Sequence, residues 1–258
     1  MDICNLKIHF TMQTKHKVVS PAEWDLARKS LLVKEKELTR MRDQVAKERM
    51  ALPWEHVNKT YEFNGAQGKE TLSDLFDGRS QLIIVHFMMG PGWAEGCPGC
   101  SFNADSIDGS LPHLLNHDVS LVVVSRAPYE EIQRFQKRME WKFKWVSSHD
   151  SDFNYDYHVS FTPEELDKGE VYYNYAKIPN KASELPGMSA FYKEEDGEIY
   201  HTYSAYARGT DIMVNTYNYL DIAPLGRNED GPQTMDWMKH HDKYVVQPVA
   251  TGNGNCCH

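Results

Sequence analysis

Long apolar runs are missing from this sequence. The longest, from Leu82 to Met89, is broken by His86 and falls far short of the roughly 20 residues that span a bilayer. No membrane segment or membrane partner is therefore expected. The stretch Met1 to Lys17 carries Asp2, His9, Lys15 and Lys17 and lacks the apolar centre and small-residue cleavage site of a secretory leader. A cytoplasmic location is the expectation. An excess of positive charge is missing too: Lys and Arg number 28 against 37 Asp and Glu, a net charge of -9. Such a chain has no basic face with which to neutralise phosphates, so a dedicated nucleic-acid partner is not expected. Cysteine is scarce, with five residues, an odd number that argues against a disulfide scaffold. In a reducing compartment a close pair of cysteines reads as catalytic, redox-sensing or metal-binding. Glycine and proline, 16 and 12 of 258 residues, are too few for a fibrous or low-complexity chain.

What remains is ordinary globular material, 41% hydrophobic and 25% charged, with no internal repeat. Residues 1–19 read as a flexible N-terminus. Ser20-Pro21-Ala22-Glu23 is a helix start: the serine caps a free N–H, proline suits the first helical position, and the glutamate completes a capping box. Trp24, Ala27, Leu31, Leu38, Met41 and Val45 then recur at helical spacing, so a long amphipathic helix is expected over 20–52. The apolar stripe would be covered by the following domain; its rival is a homodimer through this helix.

Residues 53–245 read as one α/β domain, and 246–258 as a flexible tail. Tyr61 to Phe63 suggests a short strand with turns at Asn64-Gly65 and Gln67-Gly68, and Thr71 to Phe76 a single helical turn. Gln81–Met89 and Val119–Ser125 are continuous apolar runs, the pattern of strands covered on both faces. A helix lies between them, broken around Asp108-Gly109, and Glu130–Glu140 is another. Two buried strands joined by a helix predict a parallel pair with a right-handed crossover. Met188–Tyr192 and Glu198–Tyr203 flank Asp196-Gly197 as a hairpin. Asp211–Leu220 and Met235–Tyr244 read as helices of a C-terminal extension. Asp150 to Asp156 reads as an acidic, aromatic surface loop shaping a substrate cleft, since it lacks the glycine and terminal glutamate of an EF-hand.

Chemistry concentrates at Cys97-Pro98-Gly99-Cys100. The motif follows a buried strand by a short glycine-rich loop and opens a helix, where free N–H groups and the helix dipole stabilise a thiolate. Cys97 is the expected nucleophile. Cys100, one turn on, is placed to resolve a mixed disulfide. Structural zinc would need Cys256, Cys257 and His258, which a frayed tail scaffolds poorly; these thiols and Cys4 read as incidental. The alternative is a copper-binding protein or metallochaperone, using the cysteine pair with one of His86, His149, His158 or His201. A lone histidine in such a run is more often structural, so no metal or cofactor is assigned.

From Tyr61 to about Tyr157 the chain is similar in order to peroxiredoxins and other thioredoxin-like proteins. More closely, Val18 to Tyr244 resembles the thioredoxin-like family catalogued as domain of unknown function 899, described as predicted dithiol-disulfide oxidoreductases. The match is carried by Gly90–Phe102, Val122–Pro128, Trp145–Ser148, Ser151–Asp156, Glu184–Gly187 and Tyr203–Gly209. The resemblance implies a thioredoxin-like fold of peroxiredoxin-like order and a thiol-disulfide oxidoreductase. Its partner would be a protein or low-molecular-weight thiol or disulfide, with thioredoxin or glutathione as candidate donor. In thioredoxin folds a cis-proline packs against the dithiol and presents backbone to a substrate chain; Pro186 stands at that place. Trp93, Arg126 and Pro186 are the candidate substrate-binding residues. Two departures limit the transfer. Ala94 stands where peroxiredoxins carry Thr or Ser, and Pro98-Gly99 reverses thioredoxin's order.

Overall fold

A computed structural model describes residues 16–229 and 235–245. The expected flexible ends therefore lie almost wholly outside the described residues. The chain divides into two units between Leu52 and Pro53.

The first unit is helix α1, Pro21–Met50. Its capping box is present: the Ser20 hydroxyl accepts the Glu23 N–H at 3.3 Å, and Glu23 accepts the Ser20 N–H at 3.0 Å. Lys47 and Arg49 sit in the last turn, where cations complement the helix dipole. No residue of α1 is buried, and Trp24, Leu31 and Met41 are more than half exposed. Leu26 and Val33, also exposed, fall on the opposite side of the helix by its 3.6-residue period. Apolar surface is thus spread round the helix more than the stripe alone predicts.

In the second unit the apolar runs become neighbouring strands. The order is β1 (Glu55–His56), β2 (Glu62–Gly65), β3 (Gly68–Thr71), β4 (Gln81–His86), α2 (Pro98–Ala104), α3 (Ile107–Asn116), β5 (Val119–Ser125), α4 (Tyr129–Arg138) and β6 (Lys144–Ser147). Then come α5 (Phe153–Asp156), α6 (Pro163–Asp167), β7 (Glu170–Tyr173), β8 (Ala176–Pro179), β9 (Gly187–Lys193), β10 (Ile199–Tyr206) and α7 (Asn215–Leu220). One sheet runs β1-β10-β9-β4-β5-β6-β2-β3, and β7-β8 is a separate hairpin. Parallel β4 and β5, with β9 antiparallel to β4 and β10 antiparallel to β9, give the thioredoxin-like core order β10-β9-β4-β5. The fold class expected from the sequence is the one observed.

The sheet is covered on both faces, as its apolar runs require. On one face Val85, Phe87, Leu121 and Val123 pack with Ile132, Phe135 and Met139 of the α4 region. On the other, Leu82, Ile84, Val122 and Val124 pack with Leu75, Phe76 and Phe153. Each such fully buried side chain contributes roughly 1.5–3 kcal/mol.

Several local expectations are corrected. The helix break after the motif lies at Asp105-Ser106, ahead of Asp108-Gly109; Asp105 there accepts the Trp141 indole N–H at 2.8 Å. The supposed surface loop at 150–156 contains α5, whose Phe153 is fully buried between Tyr61, Phe63 and Tyr157. Core packing accounts for Phe153, while the half-buried Tyr155 lies under the Arg126 guanidinium, 5.6 Å from its ring centre. Residues 207–213 form a 3-10 helix, separated from α7 by buried Val214. In 235–244 only His241–Lys243 is helical. Its side chains are drawn to different partners, Met238 into a cluster with Phe102 and His240 onto the Gly96 carbonyl.

Candidate functional site

The loop after β4 is pinned at both ends. Phe87 N–H donates to the Val124 carbonyl at 2.9 Å, and Ala127 N–H to that of Met89 at 2.8 Å. Cys97 N–H then returns to the Met88 carbonyl at 3.0 Å. Gly96 allows this return, because a Cβ there would fall 2.4 Å from a Phe87 ring carbon and 2.8 Å from one of Phe135. Cys97 is the N-cap of α2, with Pro98 opening the helix. Its carbonyl accepts both the N–H and the hydroxyl of Ser101, each at 2.9 Å.

Both cysteines are free thiols and half-buried. The hydrogen bond from Cys100 is the largest influence on Cys97 and lowers it to about 6. Burial opposes this, and the N–H groups of Cys100 and Gly99 assist it. The same contact raises Cys100 above its ordinary value, reinforced by burial and by the neighbouring thiolate charge. The Met88 N–H points at the Cys100 sulfur at 3.5 Å. The pair is thus polarised, a thiolate at Cys97 beside a protonated thiol at Cys100.

Of the candidate binding residues, Trp93 lies in the loop before the motif. It is half-buried and lines a cavity of about 270 Å³ with Gly92, Ala94, Arg134 and Phe135, and neither cysteine lines that cavity. Arg126 is engaged elsewhere. Its Nε and Nη2 donate to Glu184 Oε1 at 2.8 and 2.6 Å, and Arg126 is not among the groups that shift Cys97. The charge of Arg126 is committed to a buried carboxylate. Pro186 leads into β9, but no cis peptide bond occurs among the described residues. The peptide bond before Pro186, whose isomer the sequence leaves open, is trans.

Sequence reasoning passed over the residues that surround Pro186. The Tyr173 hydroxyl donates to the Pro186 carbonyl at 2.7 Å and accepts the Ala207 N–H at 2.8 Å. Burial pushes Tyr173 up to about 12; the Ala207 N–H opposes this, and Cys100 charge adds to it. Glu184, fully buried, also accepts the Ser160 hydroxyl. A Cβ on Gly90 would lie 3.1 Å from the Trp93 indole nitrogen and 3.4 Å from Glu184 Oε1, so the ion pair abuts the motif loop. The alternation Val171-Tyr172-Tyr173 was the one local signal for this region.

The C-terminal segment also reaches the motif. His240 Nε2 bonds the Gly96 carbonyl at 2.8 Å. Glu95 accepts from Arg138 and Lys243 at 2.6 Å each, and Arg138 also holds Asp242 at 2.7 Å. The Met235 methyl lies 3.0 Å from where a Gly99 Cβ would be, and Cys97 Sγ lies 3.8 Å from the same point.

The histidines of the copper alternative are dispersed. His86 contacts Phe153 and Tyr157 on the sheet face opposite the cluster that Cys100 joins, and bonds Ser189 Oγ at 2.8 Å. His149 bonds the Arg126 carbonyl, His158 packs on Tyr172, and His201 bonds Ser204. No cluster of three or more potential metal ligands occurs among the described residues. Cys4, Cys256, Cys257 and His258 lie outside them. No helix among the described residues is long and apolar enough to cross a membrane.

A family model described as "Bacterial protein of unknown function (DUF899)" matches residues 13–244. No curated protein matches the chain. Among solved structures, it is similar to peroxidoxin BcpB from Mycobacterium tuberculosis (12% identity, 66% of this chain and 97% of that one, TM-score 0.42). A point mutant of peroxiredoxin Q from Xanthomonas campestris matches at 15% identity, over 65% of this chain and 98% of that one, with TM-score 0.44. A putative protein disulfide isomerase from Bacteroides thetaiotaomicron matches at 16% identity, over 65% and 91%, with TM-score 0.36.

Proposed function

The chain belongs to the DUF899 family of bacterial proteins of unknown function, and within that family we propose that it is a thiol-disulfide oxidoreductase working through Cys97 and Cys100. The polarised pair carries this reading: a thiol lowered to about 6, held there first by its partner, beside a thiol raised above its ordinary value. Cys97 thiolate attacks one sulfur of a substrate disulfide, forming a mixed disulfide and releasing the first substrate thiolate. Cys100 then loses its proton and attacks Cys97 Sγ. The second substrate thiolate leaves, and a Cys97–Cys100 disulfide remains. Two electrons pass from the dithiol to the substrate, and its two protons end on the released thiols. A donor thiol, thioredoxin or glutathione, reverses these steps on the enzyme.

Trp93 walls the approach to the pair in this proposal, Pro186 shapes its far side, and Arg126 positions Glu184 without touching substrate. Peroxidase chemistry is not favoured, because Ala94 offers no hydroxyl beside the thiolate. The proposal includes a cytoplasmic location, where the pair is kept reducible, a helix at 20–52 joined to a catalytic domain at 53–245, and self-association through the exposed residues of α1.

Thiol counting before and after dithiothreitol tests the core of the reading. The native protein should form one reversible disulfide, and Cys97→Ser or Cys100→Ser should abolish it. A stoichiometric metal, found on anaerobic purification and lost in both variants, would replace the reading with metal handling.

A further inference from the structure

An extended polypeptide reaching Cys97 along the sheet would need free main-chain groups beside the dithiol, since strand addition draws its affinity from backbone hydrogen bonds. Along one edge the backbone leading to Pro186 is already paired within the chain. Leu185 N–H donates to the Val159 carbonyl at 2.8 Å, and Phe161 N–H donates to the Ser183 carbonyl at 3.0 Å. Ser160 and Glu184 face each other as an antiparallel bridge between these bonds. The Pro186 carbonyl takes the Tyr173 hydroxyl. Gly187 follows in register with both His86 and Tyr206, so β9 is internal from its first residue.

A second observation comes from the other side of the motif. The Met235 methyl lies against Gly99, 3.0 Å from where its Cβ would be. Trp237 stands edge-on to Phe102 at 5.4 Å, and His240 holds the Gly96 carbonyl. The Leu185 N–H, the Pro186 carbonyl and the Gly96 carbonyl, main-chain groups flanking the motif loop and Pro186, are therefore already occupied within the chain. The half-buried Cys97 thiol stays reachable, but by a group that needs no strand of its own.

We infer that the substrate is a low-molecular-weight disulfide and not an extended polypeptide chain. The inference rests on the oxidoreductase reading and narrows it. The exchange is the one already written, with two small thiols as products, so atoms and electrons balance without a further reactant.

Two probes with one leaving group test it: thionitrobenzoate joined by a disulfide to free cysteine, and to a single cysteine in a flexible peptide of about fifteen residues. Reduced full-length protein is mixed with each, and the release of thionitrobenzoate is divided by the rate of a free small thiol with the same probe. The cysteine probe should react at least about tenfold faster after this normalisation. Equal normalised rates, or a faster peptide, overturn the inference alone. Failure of the native protein with both probes, or release by Cys97→Ser at the native rate, sinks the oxidoreductase reading and this inference with it.

Discussion

The Tyr173 hydroxyl joins the Pro186 carbonyl, at 2.7 Å, to the Ala207 N–H, at 2.8 Å. One phenol thus ties the start of β9 to the end of β10. Tyr173→Phe leaves both main-chain groups without that partner. The expected cost is about 1–3 kcal/mol, read as a lower denaturant midpoint at unchanged slope.

Cys97 should ionise near 6, so thiolate absorbance or alkylation rate titrates with that midpoint. The hydrogen bond from Cys100 is the main cause, so Cys100→Ala should move the midpoint upward. Alkylation at pH 6 should then slow by roughly three- to tenfold. An unchanged midpoint would assign the shift to the helix start instead.

Arg126 is the ion-pair partner of a buried carboxylate. Arg126→Met leaves Glu184 charged and unpaired, at a cost of roughly 3–5 kcal/mol. Burial is the largest influence on Glu184 and raises it above its ordinary 4.5. A raised carboxylate stabilises most when protonated: its contribution is full below 4.5 and is lost as pH rises through the folded value. The stability difference between native protein and Glu184→Gln should therefore fall across that window and then level off. Denaturant titrations at stepped pH read this directly.

His86 is buried on an apolar face, and burial first, then His201, lowers it to about 3. In the unfolded chain it takes a proton near 6.5. Its contribution is thus full above 6.5 and is lost as pH falls toward 3, by up to about 1.4 kcal/mol per unit. His86→Gln should flatten this acid limb of the denaturant midpoint. A native midpoint constant from pH 7 to 5 would contradict it.

Self-association through α1 predicts a dimer by sedimentation. Leu31→Glu with Leu38→Glu should give a monomer without loss of helicity, since both residues are more than half exposed. A native monomer would remove this part of the proposal.

The long helix, the two buried strands, the β9–β10 hairpin and the dithiol were legible in the sequence because each is written locally. Ser20 to Glu23 is a capping box within four residues, and Val119–Ser125 is apolar throughout. Cys97 and Cys100 lie one turn apart after a buried strand. The helical reading of 235–244 failed because its side chains answer to distant partners instead of a common face.

What sequence alone determined about this protein is the cysteine pair at the start of a helix and the buried strand that precedes it. Tertiary structure decided what surrounds them. Arg126 meets Glu184 across 58 residues, Ala207 meets Tyr173 across 34, and His240 meets Gly96 across 144. No local period encodes such contacts, since they arise only when β9 inserts beside β4 and the C-terminal segment folds back over α2. Arg126, a candidate binding residue by sequence, is in the fold the counter-ion of a buried carboxylate. The physical reason is that an ionised carboxyl without water requires a paired charge, and Arg126 supplies it.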